Sequence, residues 1–113
     1  MHEFSLIENI FKILDDIIKK EKIKKIDKIN LIVGEMLQIV PETLVFAFDA
    51  VKKGTKCENA KLNIEIQPIT IKCNICKRNI ELNKDQYICP QCKGNDFKII
   101  SGKEFIIKSI EGE

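Results

Sequence analysis

The sequence has no tryptophan, one tyrosine and one histidine among its 113 residues, and it contains no long apolar run. The missing run excludes a membrane-spanning helix. The first residues show no basic segment followed by a small-residue cleavage site, so no secretory signal is recognised. Together with cysteines paired at metal-binding spacing, this predicts a protein of the reducing cytoplasm.

Groups for catalysis are also scarce. The single histidine, His2, is distant in sequence from every cysteine, which leaves no obvious nucleophile and base pair. No glycine-rich phosphate loop stands between a strand and a helix. The carboxylates are scattered over helix faces and strand exteriors, where the ordinary interpretation is surface charge. We therefore expect a protein that is not an enzyme.

The hydrophobic pattern predicts an α+β fold. Apolar residues recur at helical spacing from Phe4 to about Lys22, and a second helix begins at Pro41 and stops before Gly54. Strands are expected over 26–33, 60–67 and 104–111. The fold class is two helices packed on a small three-stranded sheet, with an inserted zinc-ribbon module. The predicted domains are residues 1–68, completed by a final strand in 103–113, and a ribbon over 69–102.

Four cysteines form the strongest motif in the chain. They make two Cys-x-x-Cys pairs twelve residues apart: Cys73, Cys76, Cys89 and Cys92. A tight turn holds the two sulfurs of one pair together, and a hairpin returns the second pair to the same point. This spacing predicts a closed tetrahedral site for structural Zn²⁺. Iron in the same cage and a redox-active or disulfide pairing remain alternatives. Cys57 lies outside both pairs and is interpreted as a small apolar residue rather than a ligand.

The amino terminus offers a second set of metal donors. The amine of Met1, the imidazole of His2 and deprotonated backbone amides are neighbouring nitrogens, and Glu3 adds a carboxylate. Planar nitrogen donors suit Ni²⁺ or Cu²⁺. Met1 should be retained beside the large His2 side chain, which keeps this spacing intact. On chemistry alone, a frayed terminus without function is the more ordinary interpretation.

The opening Met1-His2-Glu3-Phe4-Ser5 and the double cysteine motif together resemble the HypA/HybF family of nickel-insertion proteins. Further matching segments run through most of the chain: Gly34-Glu35, residues 40–48, Thr55, Glu58, Ala60, Leu62, Ile64, residues 102–105 and Ile110-Glu111. Met36 and Gln38 depart from the family pattern, and Gln38 is not an obvious metal ligand.

The resemblance implies a nickel metallochaperone that serves the maturation of nickel-iron hydrogenase. It places transferable Ni²⁺ on His2, with Glu3 assisting nickel binding or partner docking, and structural Zn²⁺ on the four paired cysteines. The implied partners are a HypB-type GTPase and the hydrogenase large-subunit precursor, and some members of the family also serve urease. It implies no partner among nucleic acids or membranes.

A zinc-ribbon nucleic-acid-binding protein is the alternative function. The segment from Ile69 to Lys103 is locally basic, with six lysines and one arginine against three carboxylates. Four thiolates on Zn²⁺ carry a charge of about −2 that offsets part of this excess. Only Tyr87 and Phe97 could stack on bases, which is too few for the usual single-strand platform.

Overall fold

The structure is a computed structural model that describes residues 3–82 and 88–113. Two α-helices, α1 (Glu3–Glu21) and α2 (Pro41–Val51), alternate with strands β1 (Ile26–Gly34) and β2 (Lys61–Gln67). A short 3-10 helix spans Glu35–Leu37. Four further strands follow: β3 (Thr70–Cys73), β4 (Asn79–Glu81), β5 (Phe97–Ser101) and β6 (Phe105–Gly112). The strands form two three-stranded sheets, with orders β2-β1-β6 and β4-β3-β5. The α+β fold class predicted from the sequence is confirmed.

Helix α1 buries one apolar stripe, as its periodicity predicts. The buried positions are Leu6, Ile7, Ile10, Leu14 and Ile18. The helix ends where Lys22 takes a left-handed conformation (φ 54°) and the N–H of Ile23 donates to the carbonyl of Ile18. This is the hydrogen bond of a Schellman cap, in which Lys22 occupies the position that glycine usually takes.

Helix α2 starts with Pro41 at a position where a missing N–H costs nothing. Its buried Phe48 stacks on Phe11 of α1 with ring centroids 5.5 Å apart. The helix ends at Val51, and Lys52 caps it through its N–H to the carbonyl of Phe48. The cap therefore falls two residues before Gly54, which the sequence suggested for this role and which instead adopts a positive φ of 78° in the following turns.

The chain divides into two compact units. One comprises Met1–Leu31, Ile39–Glu65 and Ile106–Glu113, and is called the helical unit. The other comprises Ile32–Gln38 and Ile66–Phe105, and is called the cysteine unit. The domain boundaries expected from the sequence stay a prediction. Within the described residues, no helix is long and apolar enough to cross a bilayer.

The cysteine unit is built on strand β3, which pairs antiparallel with both β4 and β5. The β3 and β5 strands are the entry and exit of the ribbon, and they lie side by side. Ile69, Ile71 and Leu82 form its small buried core. Met36, from the segment after β1, packs against this core together with Ile80, Phe97 and Ile99.

A close backbone contact fixes the segment after β1 within the cysteine unit. The N–H of Gly34 donates to the carbonyl of Glu104 at 2.6 Å, and the N–H of Met36 donates to that of Gly102 at 2.9 Å. A Cβ at Gly34 would overlap the Gly102 carbonyl. Gly102 has a φ of 111°, and the Glu104 carboxylate accepts its N–H at 2.6 Å. Glycine is required at both positions.

Candidate metal centre

The structure brings the four paired cysteines together. All four Sγ atoms lie within 4.8 Å of one another. The Sγ atoms of Cys73 and Cys92 are 3.5 Å apart, and those of Cys76 and Cys89 are 3.8 Å apart. Tetrahedral Zn–S bonds of about 2.3 Å require S···S separations of about 3.8 Å. Two of the six separations are close to this value, and the four-cysteine cluster is consistent with structural zinc.

The two Cys-x-x-Cys turns repeat one backbone hydrogen-bond pattern. In the first turn, the N–H of Lys77 donates to the Cys73 carbonyl (2.9 Å), and the Cys73 N–H donates to the Arg78 carbonyl (3.0 Å). In the second, Lys93 donates to Cys89 (2.7 Å) and Cys89 to Gly94 (2.8 Å). The offsets of four and five residues are the same in both turns. The site thus consists of two equivalent half-sites, each contributing two sulfurs.

Each half-site turns the chain with a lysine in the left-handed region. Lys77 has a φ of 61° and Lys93 a φ of 58°. Residues with a Cβ adopt this region at a cost of about 1 kcal/mol. The cost recurs at the same place in both turns, immediately after the second cysteine. In this conformation, the N–H of the next residue, Arg78 or Gly94, hydrogen-bonds to the sulfur of the second cysteine in its turn. The strained backbone therefore positions a donor at that sulfur.

Backbone N–H groups lower the pKa of the first cysteine of each turn. Chiefly the N–H of Cys76, and also that of Ile75, hydrogen-bond to Cys73 and lower its pKa to about 6, while burial opposes this. The N–H of Cys92 likewise lowers the pKa of Cys89 against burial. Hydrogen bonds to the charged form favour that form. These backbone donors are therefore part of the site.

The second cysteine of each turn behaves in the opposite way. A hydrogen bond from the Arg78 N–H lowers the pKa of Cys76. Burial and the neighbouring thiols together raise this pKa by more, so the pKa of Cys76 is raised overall. For Cys92, the Gly94 N–H lowers the pKa, and contact with Cys73 and burial raise it to about 11. Four negative charges this close repel one another unless a cation compensates them. A bound dication supplies that charge and keeps all four thiols deprotonated.

Side chains join the two turns across the site. The Asn74 amide donates to the Asp96 carboxylate at 2.9 Å, and the Asn74 N–H donates to the Asp96 carbonyl at the same distance. Arg78 donates to the Gln91 side-chain oxygen at 2.9 Å. The local sequence gave no signal for these pairs, because their partners are distant along the chain.

The amino-terminal donors fall largely outside the described residues. Met1 and His2 are not among them, so the predicted nickel site at the terminus stays a prediction. Glu3 is half-buried and begins α1. Gln38 ends the 3-10 helix in a left-handed conformation with φ 54°. Tyr87, one of two residues considered for base stacking, also lies outside the described part of the chain.

Cys57 is separate from the cluster of four. It belongs to the helical unit and is 1% exposed. Burial and the nearby Asp15 carboxylate raise the pKa of its thiol, although a hydrogen bond with Thr55 lowers it. A buried, protonated thiol packs as a small apolar group. This fits the interpretation made from the sequence.

Comparison with known proteins identifies a family. A family model described as "HypA: Hydrogenase/urease nickel incorporation, metallochaperone, hypA" matches residues 1–112. Among relatives named hydrogenase maturation factor HypA, that of Moorella thermoacetica is 34% identical and both chains are fully covered. That of Methanocaldococcus jannaschii is 41% identical, with 96% of this chain and 94% of the relative covered.

Two solved structures share the fold. The solution structure of the Ni metallochaperone HypA from Helicobacter pylori superposes with a TM-score of 0.71 over 99% of this chain and 97% of that one, at 24% identity. A second solution structure of a HypA protein gives a TM-score of 0.75 over 100% and 97% of the two chains, also at 24% identity. At this identity the likeness is one of fold.

Proposed function

Because the chain belongs to the HypA family of hydrogenase and urease nickel-incorporation metallochaperones, we propose that it binds Ni²⁺ at its amino terminus and delivers the ion to the nickel-iron hydrogenase large-subunit precursor. A metallochaperone carries its ion as cargo, and the chain is not an enzyme. The observation that carries the proposal is the family match, which begins at residue 1 and so includes the Met1-His2-Glu3 motif.

The proposed cargo ligands are the Met1 amine, the His2 imidazole and intervening amide nitrogens, with Glu3 assisting. Nitrogen donors at a chain end can be approached and replaced one at a time by the ligands of a receiving protein. A ligand set of this kind binds Ni²⁺ in a planar arrangement and gives it up by exchange. The site chemistry therefore suits transfer rather than storage.

The proposed resident metal is Zn²⁺ on Cys73, Cys76, Cys89 and Cys92. Four sulfurs within 4.8 Å of one another could supply all four ligands of a tetrahedral zinc site, which would leave no open position for substrate or water. Zn²⁺ there would hold the two half-sites together and neutralise part of the thiolate charge. The zinc site is therefore structural in this proposal. Its domain is proposed to be 69–102, beside a nickel-binding domain of 1–68 and 103–113.

The proposed partners are a HypB-type GTPase, which would accompany delivery, and the hydrogenase precursor that receives the ion. Urease maturation proteins are a further proposed destination, since the family description names urease alongside hydrogenase. The proposed compartment is the cytoplasm, where thiols stay reduced.

Nickel titration of untagged protein tests the terminal site. We expect a stoichiometric Ni²⁺ isotherm that His2→Ala abolishes while zinc content stays unchanged. The Cys57→Ala variant is the matched control, because it removes a thiol outside both proposed sites. Nickel bound equally well without the only imidazole of the chain would remove His2 from the proposal.

Two further measurements separate the individual donors. An amino-terminal extension should weaken nickel binding if the Met1 amine is a ligand, whereas a carboxyl-terminal extension should not. Affinity should fall between neutral pH and about pH 6, because the amine, amide and imidazole must all lose protons. An affinity that is flat over this range would contradict a nitrogen site.

Colourless protein with stoichiometric zinc would exclude iron in the cysteine cage.

A further inference from the structure

Two segments of the helical unit are strongly basic, in addition to the basic segment from Ile69 to Lys103. Residues 19–28 and 53–58 contain eight lysines and three carboxylates, a net charge of +5, whereas the chain as a whole carries +2. The remaining residues therefore carry a net charge of −3. The modest overall charge hides a strongly asymmetric distribution.

The fold joins these two segments, which are far apart in sequence. The N–H of Ile26 donates to the Lys56 carbonyl at 3.0 Å, and the Lys56 ammonium donates to the Ile23 carbonyl at 3.2 Å. Between the segments lies a cavity of about 350 Å³. Lys24, Lys25 and Lys56 line it together with Thr55, Asn59 and Glu58. This cavity, together with Lys24, Lys25 and Lys56, is called the lysine cleft.

The lysines of the cleft have few partners within the described residues. Lys25 has a long contact of 3.8 Å to Asp27, with both side chains more than half exposed. Lys24 and Lys56 make no ion pair with any described residue. Gly54, at the rim, has open space where a Cβ would stand. The Lys24 and Lys25 ammonium groups are thus available to an anionic partner, and that of Lys56 has a backbone carbonyl but no described carboxylate as its partner.

The ordinary explanation for lysines here is the helix dipole. Cations in the last turn of a helix are favoured by its dipole, and Lys19 and Lys20 occupy that turn of α1. The effect is confined to the last turn. It does not account for Lys24 and Lys25, which follow the helix end, or for Lys56, which comes from another segment.

We propose that the lysine cleft is a docking surface for a carboxylate-rich segment of a partner protein. Lysine presents a hydrated point charge on a flexible stem, which suits electrostatic steering of carboxylates over a broad surface. This inference concerns the helical unit alone and does not depend on the nickel or zinc ligands. The other residues of the helical unit include four lysines and nine side-chain carboxylates, and this opposite charge would orient the approach of such a partner.

Features of the cleft disfavour nucleic acid as its occupant. Neither contributing segment contains an aromatic residue for base stacking, and the only arginine of the chain, Arg78, belongs to the cysteine unit. Phosphates are best held by the planar fork of arginine. Glu58 in the lining and Glu21 and Asp27 beside it interrupt the continuous positive potential that a phosphate backbone follows.

The test measures binding of a fluorescent glutamate-rich peptide and of a single-stranded oligonucleotide of equal formal charge, by anisotropy at low ionic strength. The first variant is Lys24→Glu/Lys25→Glu/Lys56→Glu, and a second replaces the same lysines by Gln. The matched control is Lys61→Glu/Lys98→Glu/Lys103→Glu, which changes exposed lysines elsewhere by the same charge. Circular dichroism and thermal unfolding check that each variant remains folded.

We expect the cleft variant to weaken peptide binding about tenfold or more, the Gln variant to weaken it less, and the control to change it by less than about twofold. Binding should also weaken between about 50 mM and about 200 mM salt. Equal losses in the cleft and control variants would reduce the effect to net charge and overturn the proposal. Tighter binding of the oligonucleotide than of the peptide, or no peptide binding by the wild type, would also overturn it.

Discussion

Fourteen apolar residues are buried in the described part of the helical unit, whereas the buried apolar cluster described in the cysteine unit has three members. The residues buried in the helical unit are Leu6, Ile7, Ile10, Leu14, Ile18, Ile26, Ile29, Leu31, Leu44, Ala47, Phe48, Cys57, Ala60 and Leu62. In the cysteine unit, Ile69, Ile71 and Leu82 form a buried cluster with partly buried residues around them, and Val33, Cys73 and Cys89 are buried as well. A core of that size rarely stabilises a fold without a further cross-link.

One short chain thus combines two sources of stability. The helical unit is stabilised by removing apolar surface from water, which requires many residues. The cysteine unit relies on four sulfurs placed within 4.8 Å of one another, and a metal bound there contributes folding free energy directly. The two units should therefore respond to different perturbations.

The largest contrast should come from breaking the sulfur cluster. In Cys89→Ser we expect loss of bound zinc and of the native structure of the cysteine unit, because zinc binding to such sites is worth on the order of 10–16 kcal/mol. The helical far-ultraviolet circular dichroism should persist. Metal analysis and amide hydrogen exchange measure the two responses.

Cys57→Ala is the matched control for this experiment and should retain one zinc. A Cys89→Ser protein in which the helical signal is lost as well would show that the helical unit does not hold its shape alone.

The converse perturbation is Phe48→Ala in the helical unit. Phe48 is fully buried and stacked on Phe11, so the change should lower the free energy of unfolding by about 3–5 kcal/mol. Phe46→Ala, two residues earlier on the same helix, removes a side chain that is 71% exposed. It should change stability by less than about 0.5 kcal/mol.

Denaturant unfolding measures both phenylalanine variants, with zinc content as the second readout. Loss of zinc from Phe48→Ala under native conditions would contradict the separation of the two sources of stability.

The buried thiol of Cys57 in the helical unit should make a pH-dependent contribution to stability. Burial raises the pKa of Cys57, so the folded state keeps its proton at a pH where the unfolded chain has lost it. The stability from this group is complete below the unfolded thiol pKa of about 8.5 and is lost as pH rises through the folded pKa.

The difference in unfolding free energy between wild type and Cys57→Ala should therefore shift against the wild type above about pH 8.5. A pH-independent difference would show that the Cys57 thiol titrates equally in both states.

The smallest effect concerns the left-handed lysines of the cysteine unit. Lys77→Gly should stabilise the metal site by up to about 1 kcal/mol, because glycine adopts positive φ without strain. Lys72→Gly is the control, since Lys72 lies in the extended strand β3 and the same change there should destabilise by about 0.5–1 kcal/mol.

The chelator concentration that removes half of the zinc measures both lysine variants. Equal losses in the two would mean that the φ of Lys77 carries no strain.

Local patterns in the sequence predicted much of this structure. The helix expected over 4–22 is observed over Glu3–Glu21, and the strand expected over 26–33 is observed over Ile26–Gly34. Helical and strand periodicity are read from neighbouring residues, because core burial repeats with the geometry of the element. The clustering of the four cysteines was predicted for a similar reason, because each of two short turns holds one pair of sulfurs together.

Other features could not be predicted, because they join residues that are remote along the chain. Met36, which lies between β1 and α2 in sequence, packs on the cysteine-unit core. The Glu104 carboxylate accepts hydrogen bonds from the N–H groups of Gly102 and Lys103. The local sequence does not predict this role for a charged residue. The lysine cleft likewise needs Lys56 to meet the end of α1.

Local spacing and short motifs were enough to predict both helices, the three strands outside the ribbon, the clustering of the four cysteines and the resemblance to the family. Only the tertiary structure decided that Ile32–Gln38 belongs to the cysteine unit and that a separate lysine-rich segment meets residues 23–26. The physical reason is that local spacing is fixed by backbone geometry, whereas long-range contacts are selected by the packing and hydrogen bonding of the whole chain.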